Sequence, residues 1–311
     1  MIEPRPLPEA RPLPEEGLVG RVVVLAGPGV IDDGAVEGLR AFAAAGDLGV
    51  ANTWGAKGVF SWDSPHHLGT CGLQEHDFEL LGFGHADAIV ATGVDPGESP
   101  YERFALAPVF EVAPRDLERL AGRVRATGEP LPNDLYARLA AVAQPGYTDT
   151  KVPLHPARAV SDLGALLPPG GLLTADPGVA GLWVARTFPT PALAPDDPRR
   201  VVVPARGDPG IAASLALDAA RSGRSAIAVT TAPLHTATTA AVASALDDAV
   251  RMVVVAWDEH AALRIVEEHR ERVEEALAGP RATVVDVPVA LDDTALLTEA
   301  AGSVVAWGGI A

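Results

Sequence analysis

The residues best placed to do chemistry are Asp258 and Glu259, adjacent carboxylates that close an apolar run at 252–257. The carboxyl end of a buried strand is where α/β sheets hold ligands. Roughly 26 residues upstream, a second apolar run at 226–230 ends in the turn Thr231-Ala232-Pro233, and a stretch of small residues at 236–246 with helical character joins the two.

Other groupings are thinner. His235 with Ser214 or Ser244 has the residue types of a base and a nucleophile, but no Gly-x-Ser-x-Gly turn presents either serine. Asp63 with His66-His67 has the types of a metal site. His260 and His269 stand nine residues apart, on opposite faces of one helix, which argues against a helical chelate. Cys71 has no base beside it and reads as a small buried thiol. Gly27-Pro28-Gly29 follows a strand as a dinucleotide-binding turn would, yet the third glycine is absent and the next strand ends in Asn52-Thr53 where a ribose-binding acid would stand.

The elements that must position these residues alternate between strand and helix. Strands are expected at 21–26, 49–53, 88–92 and 109–112, with helices at 32–45, 74–82 and 114–126, Asp32 or Asp33 capping the first. A βαβ unit with uninterrupted apolar strands implies a parallel sheet covered on both faces. The second half repeats the class: helices at 156–167, 209–221, 236–246 and 261–278, strands at 171–175, 201–204, 226–230, 252–257 and 283–287. The expected organisation is a proline-rich flexible tail at 1–18, a Rossmann-like domain at 19–128, a Pro/Gly/Asp-rich linker at 129–155 around a helix at 133–143, and a second domain at 156–311. Both are doubly wound three-layer α/β domains with mainly parallel sheets.

Composition bounds the function. A chain of 311 residues with 48% hydrophobic and 21% charged residues has the material for two cores. A net charge of −17 without a Lys/Arg cluster argues against nucleic acid and anionic lipid as partners. The longest apolar runs are of strand length, short of the roughly 20 residues that span a bilayer. A single cysteine and no secretory pattern lead to a cytoplasmic expectation.

Four segments then carry a family resemblance. Residues 22–30 (VVVLAGPGV), 52–60 (NTWGAKGVF), 67–77 (HLGTCGLQEHD) and 86–103 (ADAIVATGVDPGESPYER) resemble, in order, the central domain of the acetolactate synthase family of thiamine-diphosphate enzymes. The Ala56-Lys57-Gly58 turn and Gly93-Val94-Asp95-Pro96 are the most specific parts, and the Asp95 to Pro100 segment is more similar to the FAD-free branch. Lys57, Asp95 and Glu98 are read as turn-forming or solvated groups. His155-Pro156-Ala157-Arg158, Thr174-Ala175-Asp176-Pro177-Gly178, Arg206-Gly207-Asp208-Pro209-Gly210 and 279–289 are similar to successive parts of the family's diphosphate-binding domain.

What the resemblance implies is a site with its ligands exchanged. In the family the turn is Gly-Asp-Gly, the second strand ends in Asn-Asn, and the Asp and an Asn hold Mg²⁺ on the diphosphate. Thr231, Ala232, Pro233, Asp258 and Glu259 occupy those places as vestigial positions: Ala232 stands for the Asp, Pro233 lacks an N–H, and Asp258 could offer Mg²⁺ one oxygen only. Beside Glu259 that carboxylate makes an acidic pocket that repels diphosphate. The interval 259–279 is also short for the family's further helix and strand, and no counterpart of the pyrimidine-binding domain, whose glutamate generates the ylid, is found. The expectation is therefore a degenerate relative with no catalytic residue, no cofactor and no FAD, acting as a binding, scaffold or regulatory protein and forming a homodimer through the small-residue helix. The alternative is a subunit of a split thiamine-diphosphate decarboxylase or carboligase, Mg²⁺ included, completed by a partner chain that carries the pyrimidine-binding domain.

Overall fold

The computed structural model describes residues 9–128, 130–191 and 201–309, which form two compact units. Among these residues no helix is long and apolar enough to cross a membrane.

The first unit runs through Arg138 and takes in Ala301–Ala306. Its strands are β1 (Arg11–Pro12), β2 (Leu18–Gly20), β3 (Val22–Ala26), β4 (Gly49–Thr53), β5 (His67–Cys71), β6 (Ala88–Thr92), β7 (Val109–Glu111) and β8 (Val124–Ala126). Six of them make an all-parallel sheet in the order β1-β7-β6-β3-β4-β5, with β2 and β8 paired separately in parallel. Every residue of β3 and β6 is buried, as their unbroken apolar runs require of central parallel strands. Val22, Val24, Val50 and Val90 share one core cluster with Leu39, Phe42 and Ala43. Those three sit on one stripe of α2 (Val36–Gly46) at i, i+3 and i+4. Strand order reverses between β3 and β6, the place where open α/β sheets bind ligands.

Several expectations for this unit change. The helix expected at 32–45 is two helices, α1 (Gly29–Asp32) and α2, because Gly34 takes a left-handed φ of 66° between them. Neither Asp32 nor Asp33 caps α2: Ala35 precedes it, with no side-chain cap bond. The helix expected at 114–126 is a single 3₁₀ turn at Pro114–Asp116, and Gly122, with φ 81°, lets the chain turn into β8, where Val124 is fully buried. The helix expected at 74–82 contracts to α3 (Asp77–Leu80); a further short helix is α4 (Tyr101–Phe104). The part of the proline-rich leader that is described is not a free tail. Arg11 and Pro12 pair with Phe110 and Glu111 at the sheet edge, where a residue without an N–H is tolerated, and Leu13 packs on the core. Residues 1–8, the rest of that expected tail, lie outside the described residues.

Between 129 and 155 the expected short helix is α5 (Asp134–Tyr147). The second unit then contains α6 (Pro156–Leu166), β9 (Leu172–Ala175), α7 (Val179–Thr187), β10 (Val201–Val202), α8 (Ile211–Arg221), β11 (Ala226–Thr231), α9 (Thr236–Asp247), β12 (Val253–Trp257), α10 (Glu267–Ala278), β13 (Thr283–Val287) and α11 (Thr294–Ala301). Its sheet is all parallel in the order β10-β9-β11-β12-β13. Ala226, Ala228, Met252 and Val254 point to one face and share a core cluster with α8 and α9 through Ala212, Ala216, Ala241 and Ala245. Ile227, Val229, Val253 and Val255, of opposite parity, are buried as well, and α7 and α10 pack on that same sheet. Helices thus cover both faces, the α/β class read from the sequence.

Candidate functional site

The carboxyl ends of β9, β11 and β12 meet in the second unit, and the register places the sequence-derived residues there. Thr231 is paired with Trp257, the Ala232 N–H donates to the Trp257 carbonyl at 2.9 Å, and the Asp258 N–H donates to the Val287 carbonyl at 2.9 Å. The turn Thr231-Ala232-Pro233 therefore lies beside Asp258-Glu259, as their spacing predicts.

A third strand end, which the sequence reading did not single out as a site residue, locks this edge. Asp176 follows β9 and is 4% exposed; one carboxylate oxygen accepts the Thr230 hydroxyl at 2.6 Å and the other accepts the Ala212 N–H of α8 at 2.9 Å. Its own N–H donates to the Val229 carbonyl at 2.9 Å. One buried side chain thus ties β9, β11 and the first turn of α8 together, and charge-assisted bonds of this kind are the stronger ones. The sequence signal was present in Asp176-Pro177-Gly178 after an apolar strand; what it lacked was any sign that the acid is buried.

Close backbone approach fixes the neighbouring turn. Gly210, at φ 96° before α8, would bring a Cβ to 2.9 Å from the Thr238 nitrogen and 3.0 Å from its hydroxyl oxygen. Only glycine lets the start of α8 meet the first turn of α9. The Thr238 hydroxyl and the Trp257 indole N–H are both buried there without a hydrogen-bond partner among the described residues.

The donor set does not fit a Mg²⁺–diphosphate. Ala232 offers no oxygen from its side chain, and Pro233 no N–H to a phosphate. Asp258 Oδ1 accepts the His260 N–H at 2.9 Å, and Glu259 Oε1 accepts the Leu291 N–H at 3.1 Å, so each of the two remaining acids already accepts a backbone N–H. Mg²⁺ needs near-ideal octahedral oxygen geometry, and among the described residues no group of three His, Cys, Asp or Glu is placed to hold a metal.

The remaining candidates separate in space or turn out structural. His66 Nδ1 lies 3.0 Å from the Leu48 carbonyl, whereas Asp63 accepts from Ser61, so the three do not converge. Burial, with the nearby Lys57 charge adding to it, lowers the His67 pKa to about 4. Ser244 is bonded to Arg221, and the His235 carbonyl accepts the Thr239 hydroxyl. His260 is exposed, while His269 is fully buried with Nδ1 3.0 Å from Asp162 Oδ2; Asp162 also receives Arg158, tying α10 to α6. Helix α10 begins at Glu267 and not at 261; Arg272 donates to the Ala262 carbonyl at 2.9 Å in the non-helical segment before it.

In the first unit, Asp95 forms the expected turn by accepting the Gly97 N–H at 2.7 Å. Glu98 departs from the expected solvated charge: it is 4% exposed, and Oε2 accepts the Gly55 N–H at 3.2 Å. A Cβ on Gly55 would fall 2.0 Å from that carboxylate, so the glycine makes the burial possible. At the switch point Gly27 donates to the Thr92 carbonyl and Gly29 to the Gly93 carbonyl, both at 2.9 Å. The loop amides that a pyrophosphate would need are taken by the adjacent loop.

Residues 19–117 match the family model of the thiamine pyrophosphate enzyme central domain. That stretch is similar to the central domain of thiamine pyrophosphate enzymes. Among solved structures, a proposed thiamin diphosphate-dependent enzyme from Mycobacterium smegmatis aligns with a TM-score of 0.63 at 17% identity, over 86% of this chain. The match extends the likeness of fold beyond the central domain into the second unit. This chain spans 61% of that enzyme's length. No curated protein matches.

Proposed function

We propose that this chain is a degenerate relative of the acetolactate synthase-type thiamine-diphosphate enzymes that does not itself catalyse, and that it serves as a binding, scaffold or regulatory protein. The observation that carries the reading is Ala232 at the carboxyl end of β11, directly beside Asp258 across the ladder, where a metal–diphosphate site needs a carboxylate. That Asp258 and Glu259 each already accept a backbone N–H supports it. In the central domain, the glycine contacts between the 27–29 and 93–94 loops favour a domain without FAD.

Titration calorimetry of the full chain with thiamine diphosphate and Mg²⁺ tests the proposal. No saturable heat is the expected outcome. Micromolar binding would overturn it and favour the second reading, a subunit of a split decarboxylase or carboligase. We further propose that the chain forms a homodimer through α9, whose outer face exposes Thr239, Ala240, Ala243 and Leu246, small side chains apart from the last.

A further inference from the structure

At the opposite, amino-terminal edge of the second unit's sheet lies an open cleft of about 210 Å³, bounded by the chain entering β11 and β12 and by the last turn of α10. Two arginines line it, Arg224 just before β11 and Arg251 just before β12, together with Ser225, and no carboxylate side chain is among the lining residues. In a chain of net charge −17 this is a local reversal of sign. Arg224 is anchored, its Nε donating to the Gly170 carbonyl at 3.0 Å. Arg251 is exposed and has no hydrogen bond or ion pair among the described residues.

The backbone around the cleft is organised to leave it open. Gly223, at φ 83°, would place a Cβ in empty space, and Ala249 holds a left-handed φ of 53° that L-residues other than asparagine and aspartate rarely adopt. Strain of this kind persists where the surroundings over-determine it, and ligand sites are one such setting. Helices α8, α9 and α10 end nearby, and bare helix C-termini would repel an anion. Here the last carbonyls of α8 accept the Ser222, Gly223 and Arg224 N–H groups, and those of α9 accept the Asp248, Ala249 and Val250 N–H groups. Those carbonyls are thus satisfied by backbone N–H groups of the same turns and do not stand bare beside the two arginines.

We infer that this cleft is a binding site for a compact oxyanion, a phosphate or carboxylate group, held by the fork of Arg251 with Arg224 and Ser225 beside it. The volume suits a small anion rather than a drug-sized ligand, whose pockets begin at roughly 300 Å³. The site stands apart from the β11–β12 carboxyl edge and does not depend on whether thiamine diphosphate binds there.

The test is titration calorimetry of the full chain with sodium phosphate and, separately, sodium malonate, at ionic strength held constant with sodium chloride. Saturable one-site binding of at least one anion is expected, the stronger response showing which source of charge the cleft prefers. Arg251→Gln, which removes no contact within the described fold, should weaken it roughly tenfold or more with unchanged circular dichroism. Arg264→Gln, an exposed arginine elsewhere, should bind as the unmodified chain does. Absence of saturable binding of both anions, or an Arg251→Gln dissociation constant equal to that of the unmodified chain, overturns the site.

Discussion

A carboxylate means different things at different depths, and in this chain depth was the quantity that the sequence hid. Asp258 and Glu259 were legible because their distance from Thr231-Ala232-Pro233 matches two adjacent parallel strands joined by one helix. Glu98 is expected as a solvated charge and Asp176 stands out only as part of a segment resembling a cofactor loop, yet both are buried against backbone N–H groups that a glycine or a helix start makes available. Removing such an acceptor strands its donors. Asp176→Ala should destabilise the second unit by roughly 2–4 kcal/mol, and Thr230→Val, which removes only one partner, by about 1 kcal/mol; denaturant midpoints of the two variants check both. His67 supplies a pH dependence. Its folded pKa of about 4 lies below the ordinary value of 6.5, so the unfolded chain binds the extra proton first as pH falls. Stability is thus full above about pH 6.5 and declines toward pH 4, by a total of order 2–3 kcal/mol. Unfolding free energies measured across that window should show the slope, and His67→Gln should flatten it.

A helix buried on nearly every side shows no helical period in its sequence, and so is not expected from it. Helix α7 is the clearest case: seven of its nine residues, from Ala180 to Ala185 and Thr187, are buried, so no amphipathic period marks it. Strand β5 escaped for a related reason, since Gly69 and a register shift against β4 break its alternation. Where a helix was expected, at 114–126, only a 3₁₀ turn at Pro114–Asp116 forms, and Gly122 turns the chain into β8. Glycines also decide how the elements meet. Gly27 sits so close to the loop after β6 that a Cβ would lie 2.3 Å from the Gly93 carbonyl oxygen and 2.4 Å from the Val94 Cα. Both obstacles are backbone, so they yield only by moving strands. Gly27→Ala should therefore cost the first unit roughly 1–3 kcal/mol, read as a lower thermal midpoint, whereas Gly84→Ala, where a Cβ meets nothing within 4 Å, should leave that midpoint nearly unchanged.

At the scale of the whole molecule, the proposed self-association places its contact on α9. Thr238, Ala241 and Ala245 face the core, which turns Thr239, Ala240, Ala243 and Leu246 outward on the opposite stripe. The exposed face bears no charge until Asp247, unusual for a chain that is 21% charged. Small side chains let two helices approach to about 8 Å, and a two-fold axis through one helix makes the same patch complementary to itself. Sedimentation equilibrium at micromolar concentration should then report a dimer. Ala240→Arg places a desolvated cation against its own symmetry mate at the closest point of approach, so it should shift the population to monomer without lowering the thermal midpoint of the monomer's fold. A chain that sediments as a monomer before any substitution would instead mean that α9 meets a different partner or none, and the proposed self-association would be withdrawn.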